Sequence, residues 1–189
     1  MQIEICENSI ECQNVQRLLK FLNLKHTIIL YKSTKDLTKP EFQSKSLLNK
    51  VPLLEIKRGR YLNSYNGIVK YICSKSTFPL LGIEENDAFI LDEYAEMISS
   101  IEDDLKNYEK SICNNLEQSV ETLAKVKAGL SKLNKLLEFS AFLGRNQISF
   151  CDLLLFFLNE KSNLIIGSKE MTEFSHLKRL SKFIVESGF

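Results

Sequence analysis

The stretch Asn49-Lys50-Val51-Pro52-Leu53-Leu54-Glu55-Ile56 decides the fold. A polar loop runs into a proline, and the proline opens an apolar run that reads as a strand. A proline in that place is a candidate cis bond. Downstream, Lys57-Arg58-Gly59-Arg60 is a tight turn and Tyr61-Leu62 starts a further strand. Ser64 caps a helix that runs through Ile68, Tyr71 and Ile72. Upstream, Gln2 to Cys6 alternates as a short strand. Val15, Leu18, Leu19 and Leu22 repeat at helical spacing, which predicts a helix from Ile10 to Leu22 that stops at Asn23. Thr27 to Tyr31 is a β-branched second strand, and Pro40 opens a loose helix or loop. The order is β-α-β-α-β-β-α over residues 1–75, an α/β domain.

Pro79 and Gly82 break the pattern, so 76–84 reads as a linker. Residues 85–189 are expected to be all helical. Leu91, Tyr94, Ala95, Ile98, Ile101 and Leu105 mark one amphipathic helix; Val126, Leu130, Leu133 and Leu137 mark another, weakened by Gly129. Leu153 to Leu158 is apolar all round and predicts a buried central helix. Leu177, Leu180, Phe183 and Ile184 face inward on a last helix. Ser149 and Asp152 have capping-box spacing, with Ile148 and Leu153 as the accompanying staple.

Composition excludes several classes. The chain has 189 residues, 44% hydrophobic and 26% charged, which is ordinary for a globular protein. The apolar run at 153–158 is too short to span a bilayer. The start, MQIEICENSIEC, carries acids where a signal peptide wants lysines, so a cytoplasmic protein is expected. With 25 basic against 24 acidic residues, there is no global pull towards nucleic acid or an anionic membrane. Local polarity exists: residues 84–109 hold ten acids, Glu85 among them, against Lys106, while 125–135 hold Lys125, Lys127, Lys132 and Lys135 with no acid. Cys6, Cys12, Cys73, Cys113 and Cys151 include no C-x-x-C pair, and reduced thiols are expected. His26 and His176 stand far apart, and no zinc spacing is present, so no metal site is expected.

Three stretches together resemble the cytosolic glutathione transferase superfamily. They are Asn49 to Glu55, Asn66-Gly67-Ile68-Val69-Lys70-Tyr71-Ile72, and Phe142-Leu143-Gly144 followed by Ile148-Ser149-Phe150-Cys151-Asp152. The resemblance implies a thioredoxin-like α/β domain followed by an all-α domain, and a cis bond before Pro52. It also aligns Ser9 to Val15 with the N-terminal motif of serine-type transferases. Ser9 then falls where a hydroxyl at a helix N-terminus would stabilise the glutathione thiolate. Val51, Pro52, Ser64 and Tyr65 fall on the tripeptide groove.

The departures matter as much. Glu11 and Gln13 replace the motif's proline and arginine. The acidic–serine pair that holds the γ-glutamyl end aligns with Ser64-Tyr65. An absent charge-assisted bond of that kind costs about 1.5–3 kcal/mol. The groove is therefore read as vestigial. No cofactor is expected to be held permanently, and glutathione is expected as a substrate or weak ligand at most.

The helical part is also short for an enzyme of the family. The resemblance is strongest to elongation factor 1 gamma and to related non-catalytic modules of aminoacyl-tRNA synthetase complexes. It implies a protein-interaction module of the translation machinery, whose partners are like modules, translation factors or synthetases, with a homodimer as another assembly. Arg145 and Arg179 are the interface candidates. The alternative is an active serine-type transferase conjugating glutathione to electrophiles through Ser9.

Overall fold

Strand β1 (Gln2–Cys6) lies inside a four-stranded sheet of order β2-β1-β3-β4, in a computed structural model that describes residues 1–6, 9–32, 34–84, 86–114 and 116–189. Glu85 of the acidic run, and the Cys113 side chain, lie outside the described residues. β1 pairs in parallel with β2 (Thr27–Tyr31), and antiparallel with β3 (Leu53–Lys57). β3 pairs antiparallel with β4 (Arg60–Leu62) across a turn in which Gly59 takes φ +75°. The parallel pair is joined through α1 (Ile10–Phe21), as a crossover requires. The segment expected to be loose after Pro40 forms a short helix, α2 (Pro40–Gln43), with proline in the first turn. Helix α3 (Tyr65–Cys73) follows β4 and packs on α1.

Ile3 and Ile5 are buried on one pleat of β1. Glu4, on the other pleat, is buried too. Its carboxylate accepts from the Tyr31 hydroxyl at 2.8 Å and from Lys45 Nζ at 3.0 Å. The edge of Tyr31 meets Phe42 of α2, with ring centroids 5.4 Å apart.

The chain divides into two compact units, residues 1–78 with Phe189, and 79–188. The second unit contains α4 (Asp87–Asn114), α5 (Leu116–Leu136), α6 (Phe150–Ile165) and α7 (Ser175–Glu186). Every residue of α6 from Phe150 to Asn159 is buried, as the all-round apolar pattern predicts. Gly129 is more than a weak point in α5. A Cβ there would lie 2.5 Å from Ile101 Cγ1 of α4, so the missing side chain is what lets the two helices close up. Among the described residues no helix is long and apolar enough to cross a membrane. Nor do any three His, Cys, Asp or Glu side chains cluster so as to hold a metal ion.

Candidate functional site

The pairing of β1 with β3 and β3 with β4 brings three chain segments to one end of the sheet. They are the exit of β1 leading to Ser9, the Val51–Pro52 bond entering β3, and the exit of β4 leading to Ser64. The Val51–Pro52 peptide is cis. Asn63 ties two of these segments together. Its Oδ1 accepts from Ser46 Oγ and Leu48 N–H, both at 2.7 Å, and its Nδ2 donates to Lys50 O at 2.7 Å. Asn49 takes φ +51° within that loop, a conformation asparagine tolerates better than most residues. No hydrogen bond reaches the backbone of Val51 among the described residues, so its N–H and C=O remain available to an extended peptide.

Ser9 is the N-cap of α1, and its Oγ accepts from Cys12 N–H at 3.3 Å. Burial pushes the Cys12 thiol up, against a lowering hydrogen bond from the Ser9 side chain and another from the Cys6 backbone. The serine hydroxyl is therefore engaged with Cys12. Cys12 itself is fully buried, as a residue packed beneath the helix should be.

Ser64 is the N-cap of α3 and accepts from Gly67 N–H at 3.4 Å. Tyr65 is the first residue of the helix. Its hydroxyl accepts from Nδ2 of Asn14 at 3.3 Å, and Asn14 is a buried polar residue on α1. The phenol thus bridges the start of α3 to α1. No carboxylate is supplied by residue 64 or 65.

The second unit holds the other residues singled out from sequence. The capping box of Ser149 and Asp152 forms at the start of α6. The Asp152 carboxylate accepts from Leu143 N–H at 2.7 Å, Ser149 N–H at 2.8 Å and Ser149 Oγ at 2.6 Å. Burial pushes this carboxyl up, and hydrogen bonds from Ser149, Leu143 and Gly144 oppose the shift. Gly144 cannot carry a side chain, because a Cβ would fall 2.6 Å from the Gln147 carbonyl.

Arg145 follows in the left-handed region at φ +64°, exposed, its N–H bonded to Phe142 O at 3.0 Å. It lines a cavity of ≈ 570 Å³ with Tyr94, Leu136 and Phe139. Phe139 is 90% exposed.

Arg179 is exposed, but its guanidinium turns inward. It donates to Leu137 O at 2.7 Å and Ser140 O at 2.8 Å, just past the end of α5. In return, Asn134 of α5 accepts from His176 N–H at 2.9 Å and Leu177 N–H at 3.2 Å, the first turn of α7. Each helix caps the other's terminus. Arg179 therefore holds in place the loop that carries Arg145.

Similar chain paths occur in solved structures. The fold is that of the glutathione transferases. A glutathione transferase family member from Pseudomonas fluorescens, solved with two glutathione bound, superposes with a TM-score of 0.80 at 19% identity, covering 97% of this chain and 88% of that one. A glutathione S-transferase domain-containing protein from Marinobacter aquaeolei gives 0.80 at 14% identity over 97% of both chains. A glutathione S-transferase from Pichia kudriavzevii gives 0.75 at 22% identity over 98% and 91%. No protein-family model and no curated protein matches the chain.

Sequence reasoning did not find Asn63, Asn14 or Asn134. Each acts on a partner 13 or more residues away, as with Asn63 and Lys50 O, and leaves no local pattern. Asn63, directly before a serine N-cap, was the one with a visible neighbour.

Proposed function

We propose that the chain is a protein-interaction module on a glutathione transferase fold, with a groove that no longer grips the tripeptide. The observation that carries this reading is at the start of α3. By the resemblance, Tyr65 aligns with the small hydroxyl residue that meets the γ-glutamyl carboxylate; its phenol is bonded to Asn14. Ser64, which aligns with the acid that meets the ammonium, accepts from Gly67 N–H. Losing the charge-assisted bond alone weakens binding about ten- to a hundredfold.

The partners fitting this reading are like modules of the translation machinery, as in elongation factor 1 gamma and aminoacyl-tRNA synthetase complexes. The docking candidate is Arg145 with the exposed Phe139, on the loop that Arg179 secures. An arginine and a large aromatic side chain are the residue types that anchor interfaces. Retention on immobilised glutathione tests the groove, and the chain is expected to pass through. A tagged chain in its own cell extract is expected to enrich translation factors or synthetases, and Arg145→Ala to reduce that enrichment. Retention on glutathione with no such partner would overturn the proposal.

A second reading, a serine-type transferase acting through Ser9, is favoured by one observation: the unpaired Val51 backbone beside cis-Pro52. It requires turnover of an electrophilic aryl halide that Ser9→Ala abolishes.

A further inference from the structure

The sheet of the first unit has two outer strands, and they differ. β4 is three residues long, opens on Arg60 and pairs with a register shift between Glu55 and Lys57. Shortness, charge and irregularity are the usual guards of a sheet edge. β2 is five residues long, Thr27-Ile28-Ile29-Leu30-Tyr31, with no charge and no proline. Its outer side pairs with no strand among the described residues.

The parallel ladder fixes which groups point outward. Thr27 N–H donates to Met1 O at 2.9 Å, so Thr27, Ile29 and Tyr31 turn their N–H and C=O towards β1. Ile28 and Leu30 turn theirs to the open side, at the spacing one more strand would take up. The side chains of these two residues share a pleat with buried Ile3 and Ile5. They are nevertheless 38% and 43% exposed.

The ends of β2 say what kind of strand fits. Lys25 and His26 precede it and Lys32 follows it. Neither lysine has an ion pair among the described residues. No acid lies between residues 24 and 35, and the next one, Asp36, pairs with Lys39 at 2.7 Å. Glu4, on the other pleat, is already held by Tyr31 and Lys45. The edge is therefore apolar in the middle and basic at both ends, which suits a segment of complementary charge. A second copy of β2 would bring only further bases to these ends.

We propose that β2 takes up an extended, acid-flanked segment of a partner protein as a fifth, antiparallel strand. Two apolar side chains of that segment, two residues apart, lie against Ile28 and Leu30. Their N–H and C=O groups exchange bonds with the same two residues. Acids beyond them meet Lys32 at one end and Lys25 at the other. This surface needs neither the groove nor the loop that carries Arg145.

The probe is the acetylated octapeptide amide Glu-Thr-Val-Thr-Val-Thr-Glu-Glu, titrated into the 15N-labelled full chain and followed by NMR. The amides of Ile28 and Leu30 are expected to shift saturably and to gain protection from solvent exchange, while those of β4 stay. The same peptide with lysine for every glutamate should bind about three- to tenfold more weakly. N-methylation of the second valine, which faces Ile28, removes one main-chain donor and should also weaken binding about three- to tenfold. Lys25→Glu with Lys32→Glu, both at exposed positions, should reverse the order of the acidic and basic peptides. No saturable shift at Ile28 and Leu30 with millimolar peptide overturns the site. Equal binding of the two peptides overturns the charge assignment, and no loss on N-methylation overturns the added strand. A chain that dimerises without peptide, and returns to monomer on Leu30→Lys, overturns the acidic occupant in favour of a second copy.

Discussion

Helices α3 and α6 both begin on a serine N-cap, and they have opposite fates. At α6 the serine has a carboxylate partner. Asp152 gathers two backbone donors and the Ser149 hydroxyl in a fully buried position. At α3 the serine stands alone as a cap, and the next residue is a tyrosine bonded across to α1. A carboxylate stands three residues after the serine cap of α6, and none stands at the same place after the cap of α3.

The difference predicts unequal costs. Asp152→Ala leaves two backbone N–H groups and a hydroxyl without their acceptor in the interior, and should lower unfolding free energy by more than ~3 kcal/mol. Ser64→Ala removes one exposed cap and should cost about 1 kcal/mol. Urea denaturation of the two variants side by side checks the ratio; equal losses would erase the contrast.

Glycines beside the two caps sharpen it. Gly144→Ala forces a Cβ to within 2.6 Å of the Gln147 carbonyl, and should destabilise by roughly 1–3 kcal/mol. Gly67 lies inside α3, where a Cβ would meet Ser64 at an ordinary 3.6 Å. Gly67→Ala should therefore stabilise by about 0.5–1 kcal/mol. Opposite signs of the change in thermal midpoint are the expected result.

In the first unit, alkaline pH probes Tyr31. Tyr31 is pushed up to about 12, by burial first and then by its hydrogen bond and charge contact with Glu4. A folded pKa above the unfolded one means that the folded chain holds the proton longer. The stabilisation is complete below about pH 10 and is lost as pH rises through about 12. Stability should fall across that window, and Tyr31→Phe should flatten the fall. An unchanged slope in the variant would place the titrating group elsewhere.

How much of this was legible depended on the range of each interaction. The proline-led strand, the capping box at 149–152 and the buried run at 153–158 are local patterns, and they carried the fold. Gly129 looked like a flaw because its reason, the side chain of Ile101, lies 28 residues away in sequence. The exchange of caps between α5 and α7 was hidden for the same reason, since Asn134 and Arg179 meet partners 39 or more residues away. The candidate groove was legible as three separate motifs. The phenol of Tyr65 reaching Asn14 was not, because a side chain's direction across two helices is set by packing.

The most direct test is calorimetric titration of glutathione into the native chain and into the double variant Ser64→Glu, Tyr65→Ser. The account predicts no saturable heat from the native chain at millimolar glutathione, and measurable binding by the variant. Binding by the native chain as tight as by the variant, lost on Ser9→Ala, would contradict it.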